Sequence, residues 1–173
     1  MCQEQNLVRN LSELTLPEIQ NITKHYLVDD QHKVILKAIP KSGSSSWKTI
    51  LVNNSKRLIP QEPAKINPHA WNWITNSFDL QLLNREQSKP CIVSKLQTYF
   101  NILTVRHPLD RLESGFREKY LKRHNKLNRT NTTAVAEAFQ MFLDYRISED
   151  RMNRHWKPIS QNTDPCTIPF RFV

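Results

Sequence analysis

The sequence predicts an α/β fold, a parallel sheet flanked by helices, in a single domain spanning residues 1–173. Three observations carry that reading. Two short apolar runs rich in β-branched residues, KVILKAI at 33–39 and NILTV at 101–105, have the length and composition of buried parallel strands. Each is followed by a polar loop and then by a segment with helical periodicity. Strands and helices therefore alternate along the chain, as parallel pairing requires.

The elements follow in order. Residues 15–28 read as a helix, with Thr15 as its cap, Glu18 three residues on and Pro17 tolerated in the first turn. Ile19, Ile22, Tyr26 and Leu27 make its apolar face. Residues 44–53 form a helix after the first strand. Residues 54–90 are irregular, interrupted by Pro60, Pro63, Pro68 and Pro90, with a short helix around 77–85. Residues 95–100 close a further helix. Residues 108–124 are helical, with Leu109, Leu112, Phe116 and Tyr120 on one side. A polar loop at 125–131 leads to an amphipathic helix at 132–147 through Val135, Phe139, Phe142 and Leu143. The C-terminal CTIPFRFV begins a strand.

Charge narrows the function. The formal net charge is +9, with a mean hydropathy of −0.61, which favours an anionic partner such as a nucleic acid, phosphorylated cofactor, acidic glycan or membrane surface. Nucleic acid is the weakest of these, since neither an aromatic-rich RNA motif nor a recognition helix is visible. No apolar run reaches membrane-spanning length, and the N-terminus has no signal-peptide core. The three cysteines fit no metal spacing, so no metal is expected. Asn10, Asn21, Asn53, Asn128 and Asn131 each open a glycosylation sequon, an excess that argues for a secretory-pathway origin. An N-terminal membrane anchor would then be absent from this chain.

The loop after the first strand, PKSGSSSWK, is a ready anion site. A strand leads to a helix N-terminus, whose outward N–H groups and dipole favour negative charge. Ser44, Ser45 and Ser46 add hydroxyl donors, Gly43 lets backbone approach a ligand, and Lys41 and Lys48 bring cations to the two ends. The loop is P-loop-like without being a Walker A motif: Gly43 stands five positions before Lys48 instead of six, and Trp47 replaces the second glycine. A second basic segment, TVRHPLDRLESGFREKY at 104–120, follows the second strand. Arg106 sits at that strand's carboxyl end, where open α/β sheets bind ligands, and Arg111 and Ser114 follow it on the helix. The chain has only two glycines, Gly43 and Gly115, one in each segment.

These residues carry a resemblance. IPKSGSSSWKTIL resembles the 5′-phosphosulfate loop of the Golgi carbohydrate sulfotransferases, in the branch of the chondroitin/dermatan 4-O- and HNK-1 sulfotransferases. TVRHPLDRLESGFREKY is similar to that family's 3′-phosphate motif, and NRHWKPISQNTDPCTIPF to its third signature, so the resemblance runs from residue 34 to 172. His107 stands where the family has an acid, and Ser45 where it has threonine. The family continues well beyond the Pro-Cys motif, so the chain reads as truncated at its C-terminus, a partial catalytic domain of the sulfotransferase fold.

The resemblance implies sulfuryl transfer from 3′-phosphoadenosine 5′-phosphosulfate (PAPS) to a hydroxyl of an acidic glycan or one containing N-acetylgalactosamine or glucuronate. It implies a type II membrane protein in the Golgi lumen, without metal. Lys41 would stabilise the leaving phosphate oxygen, and Lys41, Ser42, Gly43, Ser44, Ser45, Ser46, Trp47 and Lys48 would wrap the phosphosulfate. Arg106, Arg111 and Ser114 would take the 3′-phosphate. Histidine is a suitable proton acceptor. His25 and His32 precede the loop as surface residues, His107 lies inside a phosphate motif and His124 ends a basic helix. His69 is the favoured base and His155 the other candidate. A luminal origin permits a disulfide between Cys91 and Cys166. A P-loop kinase and a catalytically inactive basic glycan-binding module remain the alternative readings.

Overall fold

Helix α1 (Leu16–Ile22) begins on a capping box: the Glu18 amide donates to the Thr15 hydroxyl, and the Thr15 amide donates to the Glu18 carboxylate. The computed structural model describes residues 10–57, 67, 69–122, 130–146 and 171–172. The chain divides into two compact units, Met1–Val105 with Thr163–Val173, and Arg106–Asn162.

The sequence reading carries the first helix to residue 28, but α1 stops at Ile22. The Thr23 hydroxyl bonds back to the Ile19 carbonyl at 2.6 Å, and the backbone turns left-handed at His25 (φ 64). Tyr26–Asp29 is then strand β1, buried along its whole length. A strand buried on both faces reads as a continuous apolar run, which periodicity cannot tell from a helical stripe. Strand β2 (Val34–Lys37) returns antiparallel to β1 through a turn pinned by Asp29, which accepts from the His32 amide and ring.

Helix α2 (Ser44–Asn54) follows the candidate loop as expected. The helix expected near 77–85 lies earlier, as α3 (Trp71–Ser77), and the expected segment is strand β3 (Gln81–Leu82) followed by a 3₁₀ turn. The chain must become extended here so that β3 can pair with β1. Helix α4 (Lys89–Thr98) starts earlier than residue 95, because Ser88 caps it and Pro90 occupies its permissive first turn. Strand β4 (Phe100–Leu103) runs parallel to β2, and the final strand β5 (Arg171–Phe172) runs parallel to β4. The sheet order is β3-β1-β2-β4-β5, so the sheet is mixed: β1 alone runs against the rest.

Both faces are covered, which explains why the strands read as unbroken apolar runs. Tyr26, Val28 and Ile35 pack with Ile19 of α1 and Ile92 and Leu96 of α4. Leu27, Leu36 and Ile102 pack with Leu51 and Val52 of α2 and Ile74 of α3. Asp30 ties the hairpin to α4, accepting from Lys95 at 2.9 Å, from the Tyr99 hydroxyl at 2.8 Å and from the Gln81 amide.

In the second unit, α5 (Pro108–Gly115) passes into a π-helical turn over Phe116–Leu121, and α6 (Thr132–Arg146) follows. Phe116, Phe139 and Phe142 form its core, with Tyr120 stacked on Phe116 at 5.4 Å between centroids.

Lys37 is an unexpected charge in the core of the first unit. It is 3% exposed, its Nζ donates to the Lys24 carbonyl at 2.8 Å, and it lies 4.5 Å from the Tyr26 ring centroid. Burial lowers its pKa from 10.5 to about 8. The unfolded chain therefore holds the proton more tightly, so stability rises with pH between these values and is lost as pH falls through the lower one. Wild type should gain up to about 3 kcal/mol relative to Lys37→Met between pH 8 and 10.5. Denaturant titrations at the two pH values read the difference; a constant gap would mean that Lys37 keeps its proton throughout.

Candidate active site

The loop between β2 and α2 has the geometry of an anion cradle. Lys41 (φ 68) and Gly43 (φ 79) are both left-handed and bracket Ser42. Such turns gather backbone N–H groups around a concavity that suits phosphate-type groups. A Cβ added to Gly43 would meet nothing nearer than Trp47 Cδ1 at 4.0 Å. Conformation, not crowding, therefore asks for glycine here. Lys41 accepts the same conformation with a full side chain, a strain of the kind that collects at functional sites.

Helix α2 begins without a side-chain cap at Gly43, and its first internal bond is from the Trp47 amide to the Gly43 carbonyl at 3.2 Å. The amides of Ser44, Ser45 and Ser46 are thus the first-turn donors that a bound anion could satisfy. Ser42 gives a second, independent sign of a ligand. It is 6% exposed, and its hydroxyl has no hydrogen-bond partner among the described residues. A buried unpaired hydroxyl costs about 1–3 kcal/mol unless something binds it. The loop residues therefore fit a phosphosulfate group.

Two loop residues also face inward. Trp47 is half-buried against the core cluster that contains Leu27, Leu36 and Val52. Lys48 is 4% exposed, with its Nζ 4.3 Å from the centroid of the Trp71 ring. That cation–π contact holds the start of α3 beside the end of the loop. The Trp71 ring also meets the His25 ring, 5.6 Å between centroids. His25, read from sequence as a surface residue, is exposed but takes part in this tilted ring contact. Sequence reasoning missed Trp71; the WNW triplet at 71–73, dense in aromatics within an irregular stretch, was the available signal.

His69 is brought to the same neighbourhood. It is exposed in the turn just before α3, two residues from Trp71. Its amide donates to Asn67 Oδ1 at 3.1 Å, and its carbonyl accepts from the Trp71 amide at 3.2 Å. His155 and the third signature lie outside the described residues, as does Asn128. Cys91, at the start of α4, carries a free half-buried thiol whose pKa is raised by burial and then by Glu86. Its proposed partner Cys166 is also outside the described residues.

The second motif lies in the other unit. Arg106 is exposed and precedes α5, whose N-cap position, His107, makes no side-chain cap bond. Ser114 is half-buried in α5, whereas Arg111 is 4% exposed, and burial lowers its pKa. Arg117 and Lys119, basic in sequence, are paired with Glu113 at 2.7 Å and Glu118 at 2.9 Å. β2 and β4 are parallel neighbours, so the chain leaves both strands at one sheet edge.

Among the described residues no group of three or more His, Cys, Asp or Glu side chains could hold a metal, and no helix is long and apolar enough to cross a membrane. Asn10, Asn21, Asn53 and Asn131 are all exposed.

The fold is that of an α/β protein, a sheet covered by helices with a loop at the carboxyl edge of its parallel strands where an anionic group could bind. The chain belongs to the sulfotransferase family, which it matches over residues 24–173. It is similar to carbohydrate sulfotransferase 11 of Rattus norvegicus, 29% identical over 88% of this chain and 49% of that protein. It is also similar to carbohydrate sulfotransferase 14 of Homo sapiens, 24% identical over 100% of this chain and 48% of that protein. Carbohydrate sulfotransferase 8 of Mus musculus is 29% identical over 84% of this chain and 38% of that protein. The chain thus spans about half the length, or less, of these curated relatives. No solved structure matches it.

Proposed function

We propose that this chain is the partial catalytic domain of a PAPS-dependent carbohydrate O-sulfotransferase. The observation that carries the reading is the loop itself: left-handed Lys41 and Gly43, an unpaired buried Ser42 hydroxyl, and a helix start left uncapped. PAPS, when bound, supplies an activated sulfuryl group joined to a good leaving group, the 5′-phosphate of adenosine 3′,5′-bisphosphate.

Each residue then has a task. The amides of Ser44, Ser45 and Ser46 and the Ser42 hydroxyl bind the anionic oxygens. Lys41 stabilises the negative charge that develops on the phosphate oxygen as its bond to sulfur breaks. His69 accepts the proton of the sugar hydroxyl whose oxygen forms the new bond to sulfur. Lys48, held on Trp71, keeps a positive charge at the far end of the loop. Arg106, Arg111 and Ser114 bind the 3′-phosphate, for which the fork of Arg106 is suited.

The acceptor is a glycan, a choice supported by the names of the relatives; the net charge of +9 favours an acidic one, and the family resemblance one containing N-acetylgalactosamine or glucuronate. The exposed sequon asparagines support a luminal glycoprotein; the Golgi location and the type II membrane anchor rest on the family resemblance. Transfer of radiolabelled sulfate from PAPS to a panel of chondroitin, dermatan and glucuronyl glycans tests the activity. Incorporation into at least one acceptor is expected; heparin binding without transfer to any acceptor would leave a catalytically inactive glycan-binding module in its place.

A further inference from the structure

We infer that Thr104 is a further binding residue for the 5′-phosphate end of the donor, an inference that rests on the donor-site reading above. Thr104 is the first residue after β4. It is 5% exposed, and its Oγ1 has no hydrogen-bond partner among the described residues. Only four buried side-chain polar atoms are orphaned in this way among those residues, and Ser42 Oγ of the candidate loop is another. Buried hydroxyls in folded proteins are nearly always satisfied, so an orphan asks for an external partner.

Topology places both orphans in segments that leave one edge of the sheet. β2 and β4 are hydrogen-bonded neighbours running in the same direction, with Lys37 level with Leu103. The next residue on each strand leaves at the same edge, some 4.8 Å apart. Thr104 is thus next to the segment that leads into Lys41 and Ser42. A threonine hydroxyl can donate one hydrogen bond to an anionic oxygen, and Ile102, two residues earlier on β4, packs on the face of the sheet that α2 covers. The ligand that suits both hydroxyls is one phosphate-type group, the one nearest the transferred sulfuryl.

The test is calorimetric binding of two nucleotides, adenosine 3′,5′-bisphosphate and adenosine 3′-monophosphate, with melting of the ligand-free protein alongside. Thr104→Val replaces the hydroxyl by a methyl group of equal size. It should weaken bisphosphate binding about tenfold, leave monophosphate binding unchanged, and melt without ligand at or above the wild-type temperature. Thr104→Ser should bind the bisphosphate within about twofold of wild type, and Thr104→Ala should repeat the loss seen with valine. Unchanged bisphosphate affinity in the valine and alanine variants, with lower melting temperatures, overturns the inference and gives the hydroxyl an internal structural partner. Wild type that binds neither nucleotide overturns the donor-site reading as well, so the two failures are told apart.

Discussion

Lys41→Ala is expected to lower turnover by about 10²–10³-fold while changing the affinity for adenosine 3′,5′-bisphosphate only a few-fold. In the proposed mechanism the lysine acts on charge that grows as the bond to sulfur breaks, so its contribution belongs to the transition state more than to the bound product. The left-handed backbone at Lys41 (φ 68) offers a control that separates charge from conformation. Lys41→Gly relieves any strain at that angle and also lacks the ammonium group. If charge is the cause, alanine and glycine variants lose turnover alike. If glycine restores activity, the defect in alanine is one of loop geometry, and Lys41 is not the group that stabilises the leaving oxygen.

His69→Ala should cost about 10²–10⁴-fold in turnover with donor affinity nearly unchanged. The turn that carries His69 is ordered by the Asn67 side chain and leads directly into Trp71, which holds Lys48. Removing the imidazole leaves both of those contacts in place, because the bond to Asn67 uses the His69 amide. A fall in donor affinity as large as the fall in turnover would take His69 out of the base role. Full activity would move that role to His155. The comparison needs single-turnover rates and bisphosphate titrations on the same variant.

The element that carries the candidate loop could be read from the chain because local rules decide it. The strand–loop–helix of β2, residues 38–43 and α2 is written in a β-branched run, a glycine and three serines, and it forms where expected. The capping box of α1 was equally legible, through Thr15 and Glu18. Tertiary pairing decided the rest. Tyr26–Asp29 became a strand because β2 and β3 lie on either side of it, and no local signal announces a partner more than fifty residues away. Pro90 looked like a breaker and sits in a helix's first turn, where a missing N–H does no harm. The burial of Lys48 on Trp71 and the orphaned hydroxyls of Ser42 and Thr104 are also invisible in sequence. They depend on which side chains the sheet and its helices bring to one edge.

The proposed function assigns the 5′ group of the donor to residues 41–48 and its 3′ group to Arg106 and Ser114. Thermal melting of the full chain with adenosine 3′,5′-bisphosphate and with AMP tests it most directly. At a hundredfold excess over its dissociation constant, the bisphosphate should stabilise the fold by about 2.7 kcal/mol, a shift of roughly 5–10 °C for a domain of this size. AMP, which lacks the 3′-phosphate, should shift it far less at the same concentration. Arg106→Ala should erase most of the difference, a loss of about 1.5–3 kcal/mol in bisphosphate binding. Equal shifts from the two nucleotides in a chain that melts cooperatively would contradict the assignment of Arg106 and Ser114, and with it the claim that this site is built for PAPS.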